Sequence, residues 1–220
     1  VKIIFLKIAK NMGTTIKTIL RKNRGYYGEI NFPKQYNEKK LRSSRYLTLI
    51  NKTNISRFKE EYSDIWENSK KLIVFREPVD RLLSCYNYIR RKKKKFRENY
   101  TEVIEEMQNR KGTSSELYDL NKKNYDSIHI HLYASQLDLI DCNLSDIERE
   151  DYKWLKMDNS NYVLNEMKNL GIDYVYDLVK NENKNKKFYP TLQEIEKYKE
   201  VFKEDFLAYN LIKNENSSHN

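Results

Sequence analysis

Apolar residues recur along this chain at two different periods, and the alternation between those periods predicts its elements. Residues 2–8 (KIIFLKI) form a short, β-branched run, as in a parallel strand covered on both faces. A Gly-Thr-Thr turn follows, and then Ile16, Ile19 and Leu20 return at helical spacing. Residues 46–50 (YLTLI) and 71–75 (KLIVF) predict two further strands, with a polar helical stretch around 55–66 between them. Pro78 opens the next helix, at the turn where a missing amide proton costs nothing. Val79, Leu82, Leu83, Tyr86 and Ile89 share one face of it.

The second half is more helical. Residues 152–157 (YKWLKM) predict a fourth strand, and 159–170 a helix with Val163, Met167 and Leu170 inward and Gly171 as its C-terminal cap. Residues 181–187 are a polar Asn/Lys loop. Thr191 is the N-cap expected for one long amphipathic helix over 191–213, carrying Leu192, Ile195, Tyr198, Phe202, Phe206 and Tyr209 on its apolar face. Residues 214–220 read as a disordered tail. Strands alternating with helices predict an α/β fold with a mainly parallel central sheet flanked by helices. With no internal repeat and no linker, residues 1–213 read as a single domain.

Composition narrows the class. The 220 residues include 18 Tyr and 8 Phe, enough aromatic surface for a packed core despite a mean hydropathy of −0.91. No apolar run approaches the ~20 residues of a membrane span, and two cysteines cannot staple a fold of this size. No secretory signal precedes the first strand, so a cytoplasmic protein is expected, unless a membrane anchor lies upstream. The formal charge of +10 fits either a lysine-coated surface or an anionic partner: a nucleotide, an acidic polymer or nucleic acid.

Two segments carry chemistry. The first, 8–16 (IAKNMGTTI), sits where a strand hands over to a helix, whose N-terminal amides and dipole favour an anion. Gly13 permits close backbone approach, the Thr14 and Thr15 hydroxyls add donors, and Lys10 adds charge. The Walker-type loop needs its lysine after a second glycine; here Lys10 precedes Gly13 by three. The second segment, 72–86 (LIVFREPVDRLLSCY), delivers Arg76 to the carboxyl edge of the sheet, where ligands of open α/β sheets bind. Its guanidinium suits a phosphate monoester, and Ser84 lies near the same end of the following helix. Read alone, the first is equally an ordinary βα turn, and the second a helix-start ion pair of Arg76 with Asp80.

Together, IAKNMGTT after a strand and FREPVDRLLSCY after another resemble the two nucleotide motifs of sulfotransferases that use 3′-phosphoadenosine-5′-phosphosulfate (PAPS). These motifs read Pro-Lys-Thr-Gly/Ala-Gly-Thr-Ser/Thr and Arg-Asp/Glu-Pro followed by Arg, Ser and Tyr. Ala9 departs from the usual Pro. The closest resemblance is to carbohydrate sulfotransferases of the glycosaminoglycan type. YKWLKMDNSNYVLNEMKNLGI and FKEDFLAYN resemble later segments of that family. The resemblance implies a P-loop-like three-layer fold and in-line transfer of a sulfuryl group from PAPS to a hydroxyl, most simply on an oligo- or polysaccharide, leaving 3′-phosphoadenosine-5′-phosphate (PAP). It implies that Lys10, Asn11, Met12, Gly13, Thr14 and Thr15 wrap the 5′-phosphosulfate, and that Arg76 and Ser84 hold the 3′-phosphate. No metal is implied.

A base must take the acceptor proton. Several relatives place a catalytic His or Glu between the first helix and the Arg motif; this chain has no His there. Glu29, expected in the loop after the first helix, and His131, in HIHLYASQ with His129, are the candidates. Acceptor-binding loops are expected at 23–45 and 98–130. Residues 90–97 (RRKKKKFR) hold seven basic residues in eight, either a solvated helix extension or a rail for an acidic acceptor. A nucleotide-dependent kinase and a non-catalytic basic module binding nucleic acid or polysaccharide stay open as alternatives. No sequence signature points to a specific nucleic acid. Cys85 and Cys142 have no assigned role.

Overall fold

The computed structural model describes residues 1–220 except 31, 33–35, 93–97, 110–131, 159, 173–188 and 214–220. Five strands, β1 (Lys2–Lys7), β2 (Tyr26–Ile30), β3 (Tyr46–Ile50), β4 (Ser69–Phe75) and β5 (Tyr152–Lys156), form one sheet in the order β2-β3-β1-β4-β5. Every pairing is parallel, as the doubly apolar strand sequences require.

The alternation of β1 divides the core. Ile3 and Phe5 face helix α1 (Gly13–Lys22) and its neighbour α8 (Ser160–Asn169), meeting Ile16, Ile19, Leu20, Val163 and Met167. Ile4, Leu6 and Ile8 face the other side. There they pack with Ile55 and Phe58 of α3 (Lys52–Glu61), Ile65 and Trp66 of α4 (Ser63–Glu67) and Leu137 of the one-turn helix α7 (Gln136–Leu139). A third apolar cluster joins α5 (Pro78–Lys92), α6 (Tyr100–Asn109) and α9 (Leu192–Val201) through Leu82, Ile89, Val103, Met107 and Tyr198.

This strand order places a topological switch point at the centre. The chain leaves β1 towards β2 and β3 on one side, and leaves β4 towards β5 on the other. The carboxyl ends of β1 and β4 therefore frame a crevice that no crossover covers.

Several expectations change. Glu29 is on strand β2, paired in register with Thr48, and not in a loop. The segments expected as acceptor loops contain β2, α2 (Glu38–Ser43) and α6. The expected helix over 191–213 is two helices, α9 and α10 (Lys203–Leu211), because Phe202 leaves helical geometry at φ −110°, ψ 37°. The stretch at 55–66 likewise divides at Tyr62 into α3 and α4. α5 continues through Arg90, Arg91 and Lys92, whereas 93–97, His129, His131 and the tail at 214–220 lie outside the described residues. Among the described residues, no helix is long and apolar enough to cross a membrane.

Candidate functional site

The loop from β1 to α1 has an unusual backbone. Lys10 (φ 68°) and Met12 (φ 56°) both adopt the left-handed conformation, which costs a non-glycine residue about 1–3 kcal/mol and persists only when its surroundings dictate it. Asn11, between them, supplies the constraint. It is buried, and its Nδ2 donates to Val74 O at 3.0 Å and to Gln136 Oε1 at 2.6 Å. The loop ends at Met12, the N-cap of α1, which offers no side-chain acceptor. No acidic residue stands in the first turn of α1, and Arg21 and Lys22 stand in its last. The leading amides and the positive end of the dipole are thus left for an anion.

Gly13 is needed for space. A Cβ there would stand 2.8 Å from Lys7 Cγ, because the Lys7 side chain crosses over the glycine.

Arg76 follows the last residue of β4 and reaches across the crevice. Its Nη1 donates to Lys10 O at 3.2 Å, joining the two sequence motifs. The Gln136 side chain clasps the Arg76 backbone, accepting from its N–H at 3.1 Å and donating to its carbonyl at 2.8 Å. Ser84 is half-buried on α5, one turn before Tyr88 on the same helix face. The Tyr88 ring lies 4.4 Å from Lys10 Nζ, so the Ser84 face of α5 is turned towards the loop. Lys10, Asn11, Met12, Gly13 and Arg76 therefore meet at one mouth, with Ser84 on the helix face turned towards it, Thr15 half-buried and Thr14 exposed on the first turn of α1.

The electrostatics are those of an anion site. Burial pulls the Lys10 ammonium below its ordinary value, and although Cys85 pulls it back, Arg91 and Arg76 push it down further. Burial also lowers Arg76, offset in part by Asp80, from a starting value high enough to keep it charged. Cations crowded and desolvated together gain from a ligand of opposite sign.

Glu29 lies beside this mouth, reached through Lys7. Lys17 donates to its Oε2, and Lys7 Nζ stands 4.0 Å from the same oxygen. Both lysines are on the Oε2 side of the carboxylate. Behind Glu29, Tyr26 OH and Thr48 Oγ1 share a 3.3 Å hydrogen bond.

Lys7, Lys17, Tyr88, Gln136 and Asp205 were not singled out by the sequence. Gln136 and Asp205 do stand inside HIHLYASQ and FKEDFLAYN, two segments notable for other residues or for the resemblance, but nothing in the sequence says that they touch.

The family model of the sulfotransferase family matches residues 1–210. The crystal structure of a sulfotransferase from Alicyclobacillus acidocaldarius is similar in fold, with a TM-score of 0.52 and 18% identity over 95% of this chain and 94% of that one. No curated protein matches the chain.

Proposed function

The chain belongs to the sulfotransferase family, and from that premise we propose that it moves the sulfuryl group of PAPS to a hydroxyl of a carbohydrate acceptor, releasing PAP. The observation that carries this reading is the hydrogen bond from Arg76 Nη1 to Lys10 O. It brings two motifs that are weak alone to the switch point of the sheet, where nucleotides bind in open α/β folds.

The residues present fit a nucleotide that is anionic at both its 5′ and 3′ positions. The α1 N-terminus has no side-chain cap and no acidic residue, and Lys10, Arg76 and Arg91 share the field at its mouth. PAPS, when bound, supplies an activated sulfuryl group and the 3′-phosphate that distinguishes it from ATP. In this reading Lys10 and the amides of Gly13, Thr14 and Thr15 hold the 5′ end, with Asn11 and Met12 shaping the loop. Arg76 and Ser84 hold the 3′-phosphate. Transfer of this kind depends mainly on positioning and on charge stabilisation, and Lys10 neutralises the charge that grows on the leaving phosphate. Glu29 takes the acceptor proton on Oε1, with His131 as the competing base. Activity resides in one domain spanning residues 1–213.

A thermal-shift titration with PAP, with ATP and 5′-AMP as controls, tests the donor. A ligand at ~100 times its dissociation constant adds about 2.7 kcal/mol to the native state. Stabilisation by PAP and not by the controls is expected. A response to ATP instead would mean a kinase, and no response to any of the three a basic binding module without turnover. With PAP binding in hand, sulfate transfer from PAPS to a panel of polysaccharides tests the acceptor.

A further inference from the structure

Asp205, on α10, has no exposed surface. Its carboxylate accepts from the backbone of α7: Oδ2 from Gln136 N at 2.7 Å and Oδ1 from Leu137 N at 3.2 Å. These are the orphan amides at the start of that helix. A charged acceptor buried against two donors fixes where the helix begins. Ser135 adds the usual cap, accepting from Asp138 N at 2.9 Å.

What this fixes is the Gln136 side chain, which is also without exposed surface. Its amide makes the three contacts described above: Asn11 Nδ2, Arg76 N and Arg76 O. The amide therefore continues the edge of β4 one residue past Phe75 and ties that edge to the loop after β1. The Asn11 bond falls between the two left-handed residues, where the backbone most needs support. Rotating this amide would break three buried hydrogen bonds together. Neither Gln136 nor Asp205 reaches solvent, so neither can touch a nucleotide or an acceptor.

We propose that Gln136 is a positioning residue that locks the Lys10–Thr15 loop to Arg76, and that Asp205 holds Gln136 in place. Its bearing on catalysis rests on the reading of this mouth as the nucleotide site, whereas the lock itself can be tested without ligand.

The test compares Gln136→Met, which keeps the length of the side chain and removes its hydrogen bonds, with Asp151→Asn, which disturbs a buried ion pair at the opposite end of the sheet. Amide hydrogen exchange is followed in residues 10–16 and 74–77 of the ligand-free protein, under conditions that match the two variants in global stability. PAP affinity is measured on the same samples. Gln136→Met is expected to accelerate exchange in both segments together and to weaken PAP binding about tenfold, with neither effect in Asp151→Asn. Exchange that is unchanged, or faster in one segment only, would overturn the lock. So would an affinity loss no larger than that of Asp151→Asn. If the unmodified protein fails to bind PAP, the nucleotide reading falls and the exchange data alone decide the lock. Should Gln136→Met not fold, Gln136→Glu replaces it. This variant keeps the acceptor for Asn11 and Arg76 N but, ionised, has no proton for Arg76 O. It should accelerate 74–77 more than 10–16, and equal rates in both segments at the unmodified level would overturn the proposal.

Discussion

At the scale of single residues, the proposed reaction gives the two cations at the mouth separable tasks. Lys10 stands on the strained loop with its ammonium parked over Tyr88, 4.4 Å from the ring centroid. In the proposed transfer its contribution would grow as charge develops on the leaving phosphate. Lys10→Ala should therefore lower turnover by about 10²–10³-fold, the usual loss when one preorganised charge stabiliser is removed, with a smaller change in PAP affinity. In the same proposal Arg76 would act in the ground state, on the 3′-phosphate. Arg76→Ala should weaken PAP binding by about 10–100-fold, the range for a charge-assisted phosphate contact, and lower kcat less. Steady-state kinetics with PAP inhibition constants separate the two, and full activity in both variants would remove these residues from the site. Sequence alone named both, because each stands at the end of an apolar run that could only be a strand. What no spacing rule encodes is that the Lys7 side chain fills the space a Cβ at Gly13 would take.

At the scale of elements, β1, β3 and β4 were legible because buried parallel strands are continuously apolar, and β5 by its buried Tyr152, Trp154 and Leu155. β2 was not. It is one of the two edge strands, only Ile30 of its five residues is buried, and its register shifts near Gly28, which takes a φ of 144°. A half-exposed, irregular edge has neither of the two periods by which elements are recognised, so Glu29 was expected in a loop. The break at Phe202 was hidden for the opposite reason. Tyr198, Phe202 and Phe206 keep helical spacing through it, and their rings still meet, Tyr198 lying 5.0 Å from Phe202 and 5.9 Å from Phe206. The start of α9 was read correctly, and it is a full capping box. Thr191 Oγ1 accepts from Glu194 N at 3.3 Å while Glu194 Oε2 accepts from Thr191 N at 2.7 Å. The other Glu194 oxygen accepts from Thr101 of α6 at 2.8 Å, so the cap also docks α9 on its neighbour. Thr191→Ala should cost about 1 kcal/mol of stability, read as a lower urea midpoint. It should leave PAP affinity intact, since this corner lies away from the crevice.

At the scale of the whole molecule, the parallel sheet separates function from stability along its strands. The mouth sits at the carboxyl ends. Near the amino end of β4, about 16 Å from Arg76 at ~3.3 Å per residue, Lys71 is fully buried. Its ammonium donates to Trp66 O at 2.6 Å and to Asp151 Oδ2 at 2.7 Å, under the ring of Trp66. Arg149 grips the same carboxylate from outside at 3.0 and 3.1 Å. Burial pushes the Asp151 carboxyl up, but the hydrogen bonds from Arg149 and Lys71 outweigh it and hold the group down at about 2, against an ordinary 3.8. The unfolded chain therefore takes up this proton first as pH falls. The stabilisation from Asp151 is complete above about pH 4 and is lost as pH drops towards 2. Asp151→Asn removes that titration and leaves Lys71 in the core without its counter-charge, which should cost about 2 kcal/mol at pH 7. The gap between the two proteins in urea unfolding should be full at pH 7 and narrow steadily between pH 4 and 2. A gap that stays constant down to pH 2 would show that the carboxylate's charge adds nothing and that only its shape is used. Turnover per folded molecule should match that of the unmodified protein throughout, because the stabilising ion pair and the proposed nucleotide mouth occupy opposite ends of the same strand.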